Sequence, residues 1–147
     1  MRAGSMSLLG VILAMGAAAT PPAAAPAIQV YAQTGSRTYM HGNPVELILK
    51  IENTDTRPQT LRFSSAQQFD FVVSTMNRPI WRWSDGRVFA QSLTDLTLAP
   101  GESRRFSVQW SQQDRAGGAI LPGIYEVTAL VTSLPEPLRA QTHLEIH

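Results

Sequence analysis

Cysteine is absent from the 147-residue chain. That excludes disulfides, thiol nucleophiles and thiolate metal ligands. A domain of this size buries enough apolar surface to fold without such staples. Lysine is nearly absent: Lys50 is the only one, so arginine carries almost all the positive charge. Lys+Arg number 12 against 11 Asp+Glu, for a formal net charge of +1. Such a balance lacks the basic stripe that a nucleic-acid or anionic-lipid partner requires. Charged residues make up 16% and hydrophobic residues 44%, a composition for a packed core and against disorder. No apolar run reaches the ~20 residues of a bilayer span, so no transmembrane segment is expected in the mature chain. G-x-S-x-G, H-E-x-x-H, Walker A and G-x-G-x-x-G are all missing. The acids Asp70, Asp85, Asp95 and Asp114 are scattered, without D-x-D calcium spacing. No catalytic, cofactor-binding or metal-binding residue is assigned, and the chain is not expected to be an enzyme.

What is present begins with a targeting pattern. Met1-Arg2 is a short, weakly positive start, Leu8 to Met15 is apolar, and Ala17-Ala18-Ala19 supplies small residues for a signal peptidase. Residues 1–19 are therefore expected to be a signal peptide, and the protein to be periplasmic or extracellular after its removal. With no cysteine behind the apolar run, a lipoprotein anchor is not expected. Residues 20–27 read as an extended, unpacked Pro/Ala linker, and 28–147 as one domain.

From Ile28 onward, period-two alternation recurs and no sustained helical period is seen. In Val45–Ile51 the odd positions are all aliphatic. The same alternation marks Leu61/Phe63, Phe69/Phe71/Val73, Leu96/Leu98, Phe106/Val108/Trp110, Tyr125/Val127/Ala129/Val131 and Leu144/Ile146. Turn residues divide these runs: Gly42-Asn43-Pro44, Asn53-Thr54-Asp55, Asn77-Arg78-Pro79, Ser84-Asp85-Gly86, Pro100-Gly101 and Pro122-Gly123. About seven to nine short strands, each with one wet face, predict an all-β, immunoglobulin-like antiparallel β-sandwich.

His143, Glu145 and His147 share one face of the last strand, a pattern that invites a metal reading. The span from His143 to His147 is ~13 Å, too far for one ion, so this face reads as solvated, with Leu144 and Ile146 inward. The most informative cluster is Ile80 to Phe89. Trp81 and Trp83 share a strand face and read as core anchors opposite Phe69 and Phe71. Exposed, the same residue types would form a binding hot spot. An antiparallel hairpin pairing Phe71 with Trp81, Asp70 with Arg82 and Phe69 with Trp83 gathers four aromatics on one face and an ion pair on the other.

Taken in order, Phe69-Asp70-Phe71, then Trp81-Arg82-Trp83-Ser84 with Gly86, Phe89 and Gln91, then Pro100-Gly101-Glu102, Trp110 and Pro122-Gly123-Ile124-Tyr125 resemble the BsuPI family of intracellular proteinase inhibitors. Asn43-Pro44-Val45 and Asn53 fit its opening strand, and the match runs from about Tyr39 to Val131. Ala66 departs from the glycine expected there, the 74–79 turn lacks the usual Asp and Gly, and the signal peptide departs from the family's "intracellular" name. The resemblance implies a β-sandwich and a serine protease as partner. It also implies that Asp70, Trp81, Arg82, Trp83, Phe89, Trp110, Pro122, Gly123 and Tyr125 are structural motif residues. By position, Pro122-Gly123-Ile124-Tyr125 matches a tyrosine corner, whose hydroxyl reaches back to nearby backbone.

The chain therefore reads as an exported, non-catalytic binding domain that inhibits a serine protease. The alternatives are an envelope or secreted interaction module without inhibitory activity, and a small-ligand or carbohydrate binder using Trp81, Trp83 or Trp110. A substrate-like inhibitor needs a loop held rigid in its bound shape. Ser84-Asp85-Gly86-Arg87-Val88 emerges from the tryptophan strand and is the expected partner-binding loop, with Arg87 suited to an acidic specificity pocket. The Gln113 to Ile120 segment offers Arg115, but Gly117-Gly118 predict that it is loose.

Overall fold

A computed structural model describes residues 26–147. The expected signal peptide and residues 20–25 of the expected linker lie outside the described residues. Pro26 and Ala27, the last two linker residues, are docked: the Ala27 carbonyl accepts the Thr54 N–H at 2.8 Å.

The described chain is all-β. Its ten strands are β1 (Ile28–Thr34), β2 (Thr38–Tyr39), β3 (Val45–Asn53), β4 (Gln59–Phe63), β5 (Phe69–Thr75), β6 (Arg78–Arg82), β7 (Thr94–Leu98), β8 (Ser103–Trp110), β9 (Gly123–Val131) and β10 (Leu138–Ile146). The expected seven to nine are exceeded by the two-residue β2, which runs parallel to the end of β10. One sheet has the order β1-β3-β8, the second β2-β10-β9-β5-β6, and β4 and β7 form a two-stranded ribbon. Among the described residues every other pairing of named strands is antiparallel. This is the sandwich that the alternation predicts.

The core takes the inward residues of each strand. Val45, Leu47, Leu49 and Ile51 of β3 meet Val127, Ala129 and Val131 of β9, Leu144 and Ile146 of β10, and Trp110 at the end of β8. Each buried aliphatic of this kind contributes roughly 1.5–3 kcal/mol relative to exposure. Asn53, fully buried, donates its amide to the Arg57, Leu98 and Ala99 carbonyls, tying the end of β3 to the β4–β7 ribbon.

The β5–β6 hairpin forms as expected, but in a different register. Trp81 lies opposite Val73 and Arg82 opposite Val72. Trp83 donates its N–H to the Phe71 carbonyl at 2.9 Å, so Trp83 takes the place expected of Trp81. The turn and a bulge set this offset, one residue each. Met76 and Asn77 have φ of 49° and 61°, as a two-residue type I′ loop requires, and a bulge follows between Val73 and Ser74. The slip is two residues, so every side chain keeps its predicted face.

Candidate functional site

The site is built outward from Asp70. This residue sits second in β5 with its side chain 5% exposed. One oxygen accepts the Phe71 N–H at 2.9 Å and the Ser84 N–H at 3.1 Å. The other accepts the Ser84 hydroxyl at 2.6 Å and an Arg82 guanidinium N–H at 2.9 Å. The expected Asp70–Arg82 pair is present. Ser84 is the partner that the hairpin reading missed. A carboxylate so satisfied is stable inside the protein and pins the point where β6 gives way to the loop.

The Ser84–Val88 loop then turns tightly. Asp85 donates its N–H to the Arg82 carbonyl and Arg87 donates its N–H to the Ser84 carbonyl at 3.0 Å. Gly86 has φ +78°, a region that disfavours side chains. Arg87 does not stand free. Its guanidinium lies 4.4 Å over the Trp83 ring, and its Nε donates to the Trp83 carbonyl at 2.9 Å. Phe89 packs on the same indole, ring centres 5.8 Å apart. Trp83 in turn stacks on Phe69 at 4.6 Å, and Phe69 stacks on Phe106 of the facing sheet at 4.8 Å. The loop thus rests on an aromatic column running into the sandwich. Trp81 and Trp83 are half-buried flanks of the core, whereas Trp110 is fully buried.

The second candidate segment is not loose. Asp114 accepts the Ala116 and Gly118 N–H groups at 2.9 and 2.8 Å, closing the turn around Gly117-Gly118. Arg115 donates its N–H to the Ile80 carbonyl on the outer edge of β6, and its side chain pairs with Asp85 at 3.3 Å. The fold therefore brings both candidate loops together across an open cleft of about 510 Å³ lined by Trp81, Trp83, Asp85, Arg87, Asp114 and Arg115, among others. Gln112, another residue the sequence did not single out, anchors the base of this segment. It is 2% exposed, accepts the Gly42 N–H, and donates to the Met40 and Asn43 carbonyls.

The tyrosine corner is present. Tyr125, 4% exposed, donates its hydroxyl to the Leu121 carbonyl. Burial pushes its pKa up. Gly123 opens β9 with φ +150°, next to exposed Pro122. On β10, Leu144 and Ile146 point inward and His143 outward, and His147, just past the strand, is exposed. His143 lies 3.5 Å from Glu126 and His147 3.9 Å from Glu145. Among the described residues no three His, Cys, Asp or Glu side chains gather as a metal site. Also among them, no helix is long and apolar enough to cross a membrane.

The chain is thus an all-β sandwich whose Ser84–Val88 loop is braced on the buried Asp70 and the half-buried Trp83. The family model described as "BsuPI: Intracellular proteinase inhibitor" matches residues 32–136. The chain belongs to the BsuPI family. No curated protein matches the sequence. Among solved structures, it is similar to part of the Pseudomonas fluorescens alkylpurine DNA glycosylase AlkC (TM-score 0.49, 18% identity, 82% of this chain and 30% of that one). It is similar also to part of a β-glucosidase from Erythrobacter marinus (TM-score 0.48, 13% identity, 82% of this chain and 15% of that one). A third is the CARDB domain of a Pyrococcus furiosus protein in complex with di-metal ions (TM-score 0.44, 13% identity, 81% of this chain and 91% of that one). The chain thus spans less than a third of the two enzymes it resembles.

Proposed function

We propose that the protein is an exported, non-catalytic domain that inhibits a serine protease through the Ser84–Val88 loop. Family membership supports inhibition as the activity. The observation that carries the choice of loop is its bracing: Asp70 holds Ser84 at one end and Trp83 holds Arg87 and Phe89 at the other. A loop already ordered before binding loses little conformational entropy on docking, which is the condition for a tight substrate-like inhibitor. Disulfides often meet that condition; here the aromatic column and the buried carboxylate do so. The expected export to the periplasm or medium rests on the sequence of residues 1–19.

The test is a panel of subtilisin-like, trypsin-like and elastase-like proteases incubated with the purified protein. Stoichiometric inhibition of at least one, with a complex that survives gel filtration, is the expected result. Absence of inhibition and of complex across the panel overturns the reading and leaves an interaction module of the envelope or medium.

A further inference from the structure

The Ser84–Val88 loop ends on an apolar residue, Val88, that is fully in water. Arg87 and Phe89, on either side, both turn back onto the Trp83 indole, at 4.4 and 5.8 Å. Both neighbours are committed to Trp83, and Val88 itself is 97% exposed, the most exposed large hydrophobic residue among the described residues. The backbone around it is tied on both sides: Arg87 donates its N–H to the Ser84 carbonyl, and the Ala90 carbonyl accepts the Ala66 N–H at 2.9 Å. An apolar side chain fully in water, on a segment clamped immediately before and after it, has no role in the packing of this chain. It is presented.

We infer that Val88 is the specificity residue of the inhibitor, inserted into the primary pocket of the protease, and that Arg87 is a positioning residue. This rests on the reading of Ser84–Val88 as the protease contact. It also replaces the expectation that Arg87 enters an acidic pocket. To do so Arg87 would have to leave both the indole face and the Trp83 carbonyl. A β-branched, three-carbon side chain fills a small apolar pocket. It leaves a large aromatic-accepting slot part-empty and leaves the carboxylate of a trypsin-like pocket unpaired. The partner class is therefore a serine protease of elastase-like preference, which cleaves after small aliphatic residues.

The experiment measures inhibition constants of the whole chain, Val88→Asp, Val88→Arg and Arg87→Ala against one elastase-like and one trypsin-like protease. Because Val88 is exposed, its substitutions leave folding intact, which thermal melts verify. The expected result is preferential inhibition of the elastase-like enzyme, weakened about 10- to 100-fold or more by Val88→Asp, the worth of one buried aliphatic side chain. Val88→Arg moves the preference toward the trypsin-like enzyme. Arg87→Ala weakens inhibition without changing the order of preference, as loosening a brace would. Inhibition of the trypsin-like enzyme that is lost in Arg87→Ala and indifferent to Val88→Asp overturns this inference while leaving the loop as the contact. Inhibition indifferent to all three variants removes the loop from the interface. Absence of inhibition of the elastase-like enzyme overturns this inference, and absence across a panel that adds a subtilisin-like enzyme overturns the functional reading beneath it.

Discussion

Asp70 and Ser84 are joined twice, through the Ser84 N–H at 3.1 Å and the Ser84 hydroxyl at 2.6 Å. They stand fourteen positions apart, on the strand that enters the hairpin and on the loop that leaves it. Through this pair the loop inherits the rigidity of a strand buried in the core.

Asp70→Ala is expected to destabilise the protein by at least about 2 kcal/mol, since it strands donors that now meet a buried charge. Arg82→Ala is expected to cost less than about 1 kcal/mol, because that guanidinium is part in water, with its side chain 38% exposed. Denaturant midpoints of the two variants check the order. Equal effects would place the energy in the ion pair and not in the bonds to Ser84.

Tyr125→Phe removes the hydroxyl bonded to Leu121 and is expected to cost about 1 kcal/mol. The same tyrosine gives a pH dependence. Its pKa is raised in the folded state above 10.0, chiefly by burial. Below that value the phenol is neutral in both states and its contribution to stability is whole. As pH rises further the unfolded chain ionises first, so the contribution is lost as pH passes through the folded value. Unfolding free energies measured between neutral and strongly alkaline pH should fall more steeply for the native protein than for Tyr125→Phe.

Gln112→Leu is expected to cost about 1–3 kcal/mol for each polar backbone group it leaves unpaired. The groups are the Gly42 N–H and the Asn43 carbonyl, since the Met40 carbonyl keeps the Asn43 N–H at 3.1 Å. Hydrogen exchange should quicken at Gly42 in this variant and stay unchanged in the distant β4–β7 ribbon.

Export predicts a mature chain beginning near Thr20. Intact mass of the protein recovered outside the cytoplasm checks it, and a cytosolic protein that keeps Met1 contradicts it.

Much of the sandwich was legible because burial of one sheet face imposes a period of two, and β3, β8, β9 and β10 carry it plainly. The β5–β6 register was not. Two registers that differ by two residues place the same side chains on the same faces, so the hydrophobic pattern is blind to the difference. The turn and the bulge between Val73 and Ser74 decided it together, and Met76 at φ 49° is a residue type that does not announce such a turn. Asp70 and Arg82 were legible as neighbours across a hairpin. Ser84 was not, because it pairs with Asp70 only in the shifted register. The Asp114 turn and the Gln112 anchor were missed for another reason. A polar side chain that closes its own loop, or bonds backbone some seventy positions away, leaves no periodic trace.

The most direct test of the account is hydrogen exchange of the purified protein alone and bound to a serine protease that it inhibits. Protection gained at residues 84–90, with β10 and the β4–β7 ribbon unchanged, is the expected footprint. Protection gained elsewhere, with residues 84–90 exchanging as they do in the free protein, would contradict it.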